Sequence, residues 1–356
     1  MNNVNGMQRL RTVCAALATA ATLPLLGGIP ATAEVTGAPD ATAVDATSAA
    51  RLVTSAQRAG QRVDIEVYSP SMQRNIPLQV LRPKDTSTPA PTFYLLNGAG
   101  GGEDGAAWDL QTDVGDFFAD KHVNVVTPME GAFSYYTDWR NPDPGLAATS
   151  GNNGINKWTT FLTEELPPVI DDVFGTTGDN AIAAISMTGT SVLDLTIEAP
   201  ALYKSVGSFS GCAITSETPG RQFVKLVVGL GDGNVDNMWG PPDDPEWIAR
   251  DPYVNADKLP RIPMYISTAS GLPGPHDTMD NPRIEGKPTV LASQVVVGGI
   301  IEASTQYCTA RLSERTRALG MDNIVYNFRP AGTHSWGYWE DDLHESWPMI
   351  ARSLGI

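Results

Sequence analysis

Asn180-Ala181-Ile182-Ala183-Ala184-Ile185-Ser186-Met187-Thr188-Gly189 is a short apolar run that stops at a serine, and the residues after it read as helix over Ser191–Ala199. A buried strand turning sharply into a helix with serine at its apex lifts the hydroxyl above a sheet. It also aims a helix N-terminus at whatever the hydroxyl attacks. The spacing G-x-S-x-G is the usual form, because strand and helix approach closely there. Here Ala184 and Thr188 hold the glycine positions, so an ordinary helix N-cap serine is the competing reading of the pattern taken alone.

Other apolar runs flank this one. Thr92–Leu96, Val123–Pro128, Ser205–Phe209, Pro263–Ser267 and Ile324–Phe328 are each the length of a buried strand. Helical stretches such as Lys157–Val173 and Leu291–Leu319 lie between them. Upstream, Val63–Val67 and Ile76–Leu81 alternate around the turn Ser69-Pro70-Ser71, a hairpin signal. Strands alternating with helices predict an α/β protein with a mostly parallel central sheet, helices on both faces and the hairpin as its antiparallel edge. Reactive groups in such sheets gather at the carboxyl ends of the strands.

Leu96-Asn97-Gly98-Ala99-Gly100-Gly101-Gly102 leaves one of those strand ends. In the α/β-hydrolase fold, the expected class, this loop supplies one backbone N–H of an oxyanion hole and the residue after the nucleophile supplies the other. Ala99 and Met187 are the corresponding pair. A phosphate-cradling loop would continue into Lys-Ser/Thr, and none follows. Of four histidines, His334, in Ala331-Gly332-Thr333-His334-Ser335-Trp336, comes directly after the last strand, where the order serine, acid, histidine places the base. His122, His276 and His344 lie elsewhere. For the acid, Asp277 and Asp280 follow the fifth strand and Glu302 lies later at a helix; from spacing alone Asp277 is preferred.

Composition bounds the rest. Arg9 and Arg11, an apolar stretch from Thr12 to Ile29 and Ala31-Thr32-Ala33 predict a signal peptide over residues 1–33, with a retained anchor as the alternative. Residues 34–61 read as a flexible leader with room for a short helix near Ala49–Ala59, and residues 62–356 as a single catalytic domain. Losing Arg9 and Arg11 takes the formal net charge from −16 to −18. Such a chain repels nucleic acid and gains nothing from anionic headgroups, and no later segment is long and apolar enough to span a bilayer. Cys212 and Cys308, the cysteines left after the signal, are expected to pair, with two separate buried thiols as the alternative. No cofactor is expected, and no metal site: histidine and cysteine spacings lack ligand patterns, and Asp232-Gly233-Asn234-Val235-Asp236 only partly follows a calcium loop.

Several stretches together resemble the mycolyltransferase (antigen 85) family. They are Ser69-Pro70-Ser71-Met72, Tyr136-Thr137-Asp138-Trp139, Lys157-Trp158 through Glu165-Leu166-Pro167, Ile185-Ser186-Met187, Met238-Trp239-Gly240-Pro241, Asp244-Pro245-Glu246-Trp247 and Gly332-Thr333-His334 through Trp339. The resemblance implies a secreted serine acyltransferase that carries a mycoloyl chain from trehalose monomycolate to trehalose or a cell-envelope sugar. The family's acid is a glutamate opening a helix, which moves the expectation from Asp277 to Glu302. Ser335 and Trp336 match residues lining the family's sugar site, as do Asn97 and Gly100 by position. The family's loop, however, reads Leu-Asp-Gly-Leu-Arg where this chain has Leu96-Asn97-Gly98-Ala99-Gly100. Loss of the acidic residue and the arginine opens the acceptor to other hydroxyls or to water, so a carboxylesterase is the alternative. A catalytically inert binding protein is disfavoured by the complete Ser186, Glu302 and His334 set.

Overall fold

The sheet is built from nine strands. They are β1 (Arg51–Gln57), β2 (Arg62–Ser69), β3 (Arg74–Leu81), β4 (Thr92–Leu96), β5 (Asn124–Pro128), β6 (Asn180–Ile185), β7 (Tyr203–Phe209), β8 (Met264–Ala269) and β9 (Ile324–Arg329). Their order across the sheet is β1-β2-β3-β5-β4-β6-β7-β8-β9. Strands β5, β4, β6, β7, β8 and β9 run parallel, and β1 to β3 attach antiparallel through the β3–β5 pair. This is a computed structural model describing residues 49–356; the predicted signal peptide and most of the leader lie outside the described residues.

One part of the leader is corrected. Arg51–Gln57 is neither flexible nor helical but an edge strand, paired with β2 from Arg51↔Tyr68 to Gln57↔Val63. Order therefore starts before Arg62. The physical reason is the free edge of β2, whose main-chain groups accept a partner that makes few side-chain demands. All of β1 except the half-buried Leu52 is exposed, so no apolar alternation marks it.

Strand pleating divides the core in two. Tyr94, Leu96, Ile182, Ala184 and Val206 point to one face, where α1 (Leu166–Phe174) and α2 (Ser186–Glu198) pack with Leu166, Ile170, Val192 and Leu195. Phe93, Leu95, Ala181, Ala183 and Ile185 point to the other and meet Trp339, Leu343, Trp347 and Ile350 of α5 (Trp336–Ser353). This period of two is what a sheet covered on both faces requires. The remaining long helices are α3 (Gly220–Leu230) and α4 (Gly299–Ala318). A wider π-type turn, Gln294–Gly298, leads directly into α4, an irregularity often found beside functional sites.

Candidate active site

Ser186 is the first residue of α2 and follows β6 without a loop, with φ at +57°. A non-glycine residue in the left-handed region costs energy of order 1–3 kcal/mol and is retained only where packing over-determines it. The packing that does so lies one residue beyond the expected motif. A Cβ on Gly189 would sit 2.9 Å from the Phe209 carbonyl oxygen, and one on Gly211 would sit 2.6 Å from the Gly189 carbonyl carbon. The tight approach of helix to sheet is thus at Gly189 and Gly211, which frees Thr188 to carry a side chain. That side chain is fully buried, and its hydroxyl lies 2.6 Å from the Asn97 carbonyl and 2.8 Å from the Ile185 carbonyl.

Three predicted residues come together at the strand ends. The Ser186 hydroxyl is 2.7 Å from His334 Nε2, and His334 Nδ1 is 2.7 Å from Glu302 Oε2. A carboxylate only accepts, so the Nδ1 proton faces Glu302 and Nε2 is left to accept from the serine. Glu302, on the first turn of α4, is 1% exposed. Its second oxygen accepts from the Ala269 N–H at 2.7 Å, the Ser210 hydroxyl at 2.9 Å and the Thr268 hydroxyl at 3.0 Å. Trp339 donates its indole N–H to Ser210 at 3.0 Å and packs edge-on against the His334 ring. Trp339 closes the family-like segment that begins at Gly332, whereas Ser210 and Thr268 belong to no motif in the sequence. The signal of those two is position alone, at the ends of β7 and β8, where chemistry in such sheets collects.

The loop after β4 lies against the serine, since a Cβ on Gly98 would be 3.7 Å from Ser186 Cβ. Among the described residues, neither the Ala99 nor the Met187 N–H has a protein acceptor. Asn97 and Ser335, expected to touch substrate, are both buried. Asn97 is fully buried; its amide nitrogen faces the Pro128 carbonyl at 3.2 Å and its oxygen accepts from the Trp108 N–H at 3.1 Å. Ser335 immediately precedes α5 and meets the Thr333 hydroxyl. Gly100 and Trp336 keep partial exposure. A side chain at Gly100 would collide with the Asp104 carboxylate, and the Trp336 indole stands edge-on to both Trp108 and Trp339.

Asp277, the choice from spacing alone, does not reach His334. It is buried and accepts from the Thr333 hydroxyl, the Gln294 amide, the Tyr338 phenol and the Gly274 N–H, which anchors the turn bearing the histidine. Burial pushes the Tyr338 phenol well above its ordinary pKa, so it stays a donor. His276 pairs with Asp341, His344 stacks on Phe117, and His122 lies at Thr88 and Pro89. Cys212 and Cys308 form a disulfide that joins the chain leaving β7 to α4, the helix of Glu302. Asn234 caps the short helix Val235–Met238, and Asp143 accepts from the Asn234 N–H and the Asn237 amide, so the calcium-like stretch has a structural use.

Comparison with known proteins places this geometry in a family. The putative esterase family matches residues 69–350. The diacylglycerol acyltransferase/mycolyltransferase Ag85A of Mycobacterium leprae (strain TN) is 33% identical over 298 residues, covering 82% of this chain and 83% of that protein. Its counterpart from Mycobacterium tuberculosis (strain ATCC 25618 / H37Rv) is 30% identical, with 82% and 81% covered. The crystal structure of Mycobacterium tuberculosis MPT51 (FbpC1) superposes with a TM-score of 0.64 at 23% identity, over 80% of this chain and 96% of that one. An S-formylglutathione hydrolase from Agrobacterium tumefaciens superposes at 0.56 and 15% identity, over 84% and 98%, and so shares the fold. Acyl transfer or ester cleavage is therefore the activity class of this chain. With its α/β-hydrolase fold, it belongs to the putative esterase family and, within it, to the antigen 85 mycolyltransferases.

Proposed function

We propose that the chain takes a mycoloyl, or similar long acyl, group from trehalose monomycolate onto Ser186 and passes it to trehalose or another cell-envelope sugar hydroxyl. The relay Ser186–His334–Glu302, with both links at 2.7 Å, carries this reading. Ser186 Oγ attacks the ester carbonyl as its proton moves to His334 Nε2, and Glu302 stabilises the imidazolium that forms. The N–H groups of Ala99 and Met187 receive the oxyanion, each donor of this kind being worth about 3 kcal/mol of barrier. Nε2 then returns the proton to the departing trehalose oxygen. An acceptor hydroxyl gives its proton to the same nitrogen, attacks the acyl-enzyme and frees Ser186. The apolar N-terminal stretch ending at Ala33 supports export to the envelope, where such acceptors lie.

Hydrolysis is the second reading, favoured by the loop after β4. With Asn97 turned inward and no side chain at Gly100, this loop offers a sugar fewer contacts. Incubation with trehalose monomycolate and free trehalose separates the two. Dimycolate, or another acylated sugar, is the expected product; free mycolate alone would leave an esterase.

Thr188 provides a finer test. Its hydroxyl ties the residue after Met187 to the residue two before Ala99, so it sets the spacing of the two oxyanion donors. Thr188→Val keeps the shape and loses the link. It is expected to lower kcat for a soluble ester about 10-fold with KM nearly unchanged, as befits weakened transition-state contact. Thr188→Ser should restore most of the rate, and an equal loss in both variants would refute the tether.

A further inference from the structure

The turn between β2 and β3 holds a residue that a tight turn does not call for. Gln73 takes φ +55°, where glycine is free of strain and a longer side chain is not. Its side chain is exposed, and its amide makes no hydrogen bond among the described residues. Strain kept for a side chain without a role inside the fold points to a use outside it. Gln73 lines a cavity of about 500 Å³ together with Arg74, Pro77, Met129, Glu130 and Asn152, a size typical of small-molecule sites. Glu130 directs one oxygen to Arg74 Nε at 2.7 Å and to the Asn152 amide at 2.8 Å, which leaves its other oxygen open among the described residues. Arg74 Nη2 is buried and has no hydrogen-bond partner among them. An unmet buried donor is uncommon in a folded chain, and an oxygen brought by a ligand would satisfy it.

The cavity stands at the catalytic end of the sheet. β3 runs antiparallel to β5, so the turn that opens β3 lies at the same end as the residues following β5, β4 and β6. Its wall is joined to the loop bearing Ala99. Glu103, also on the lining, accepts from the Gly131 and Ala132 N–H groups at 3.0 Å each, and the Phe133 N–H donates to the Ala99 carbonyl at 2.7 Å. Polar contacts absent at Asn97 and Gly100 are thus supplied further along the same edge of the site.

Charge and shape select the ligand. Arg74 is matched by Glu130, Glu103 adds a further carboxylate, and the chain carries −16 overall, so an anion is repelled. What remains are amides, a carboxylate oxygen and a guanidinium nitrogen, which pair with neighbouring hydroxyls two at a time. Met129 and Pro77 add apolar surface that suits the C–H face of a ring. We propose that this cavity binds a neutral sugar ring and so holds an acceptor by a part remote from the hydroxyl that is acylated. The inference rests on the acyl-transfer reading and deepens it.

The test measures sugar binding by the full chain carrying Ser186→Ala, titrated by ligand-observed NMR with trehalose and with the neutral tetrasaccharide maltotetraose. Binding at about 1–10 mM is expected for at least one of them. Trehalose binding as well as the tetrasaccharide identifies a disaccharide site, and binding of the longer sugar alone identifies a site for a polysaccharide end. Gln73→Gly is expected to weaken the binding about 5-fold while the thermal transition holds or rises, because glycine relieves the turn. Glu130→Gln should weaken it at least as much, and Gln73→Gly decides alone if Glu130→Gln does not fold. With Ser186 restored, the ratio of acylated sugar to free acid at a sugar concentration below saturation should fall by the same factor. No binding of either sugar up to about 50 mM, or equal binding in all variants, overturns the proposal. So does binding that is lost in Trp336→Ala but kept in Gln73→Gly, since the sugar then sits in the catalytic cleft. Binding that weakens as expected in Gln73→Gly, with free acid as the sole product of the active chain, would instead defeat the transfer reading and uphold the sugar site.

Discussion

Ser186→Ala is expected to lower turnover of a dissolved ester by on the order of 10⁵-fold while the protein stays folded. Among the described residues the serine hydroxyl makes one protein hydrogen bond, to His334, so its loss removes the attacking atom and little else. Labelling by a serine-directed phosphonate should vanish in the same variant. The thermal transition should move by no more than a few degrees, which separates loss of chemistry from loss of fold. Turnover within 100-fold of wild type would mean that another group, or water, makes the attack.

Glu302→Gln is expected to cost roughly 10⁴-fold in kcat, for a reason specific to the surroundings of this residue. One carboxylate oxygen accepts from three donors, Ala269 N–H, Ser210 and Thr268, and the other faces His334 Nδ1. A glutamine amide in that site keeps its oxygen toward the three donors, so its NH₂ must face Nδ1. The imidazole then carries its proton on Nε2 and cannot accept from Ser186. Orientation is preserved and the base is lost, so KM should change little. Asp277→Asn provides the contrast: it weakens the anchor of the histidine turn without touching the ring, and a loss of no more than about 10-fold is expected. A larger loss at Asp277 than at Glu302 would reverse the assignment of the acid.

The parallel sheet was legible because six apolar runs of strand length alternate with helical stretches, and both faces of those strands need cover. β1 was not, because an edge strand with exposed side chains leaves no periodic trace. Ser186 and His334 could be picked out by strand-end position and chain order. Glu302 could not be chosen on spacing: Asp277 is equally well placed along the chain. What separates them is tertiary, namely that α4 delivers Glu302 to donors at the ends of β7 and β8 while Asp277 is occupied by Thr333, Tyr338 and Gln294. Asn97 carries a use that the sequence does not display. A polar residue beside the nucleophile reads as a substrate contact, and only packing reveals that its amide holds the loop to Pro128 and Trp108.

The contact between Gly189 and Gly211 bears on how such enzymes diverge. Close approach at the turn is a distance between two parts of the chain, and it is met here by a pair of residues 22 positions apart. Once that pair holds the backbones together, the positions on either side of the nucleophile are released to vary. A lineage can then trade a glycine for a threonine and gain a hydroxyl inside the catalytic frame. A consensus written as fixed offsets from the serine would pass over such a chain, whereas the spatial requirement it expresses is still obeyed.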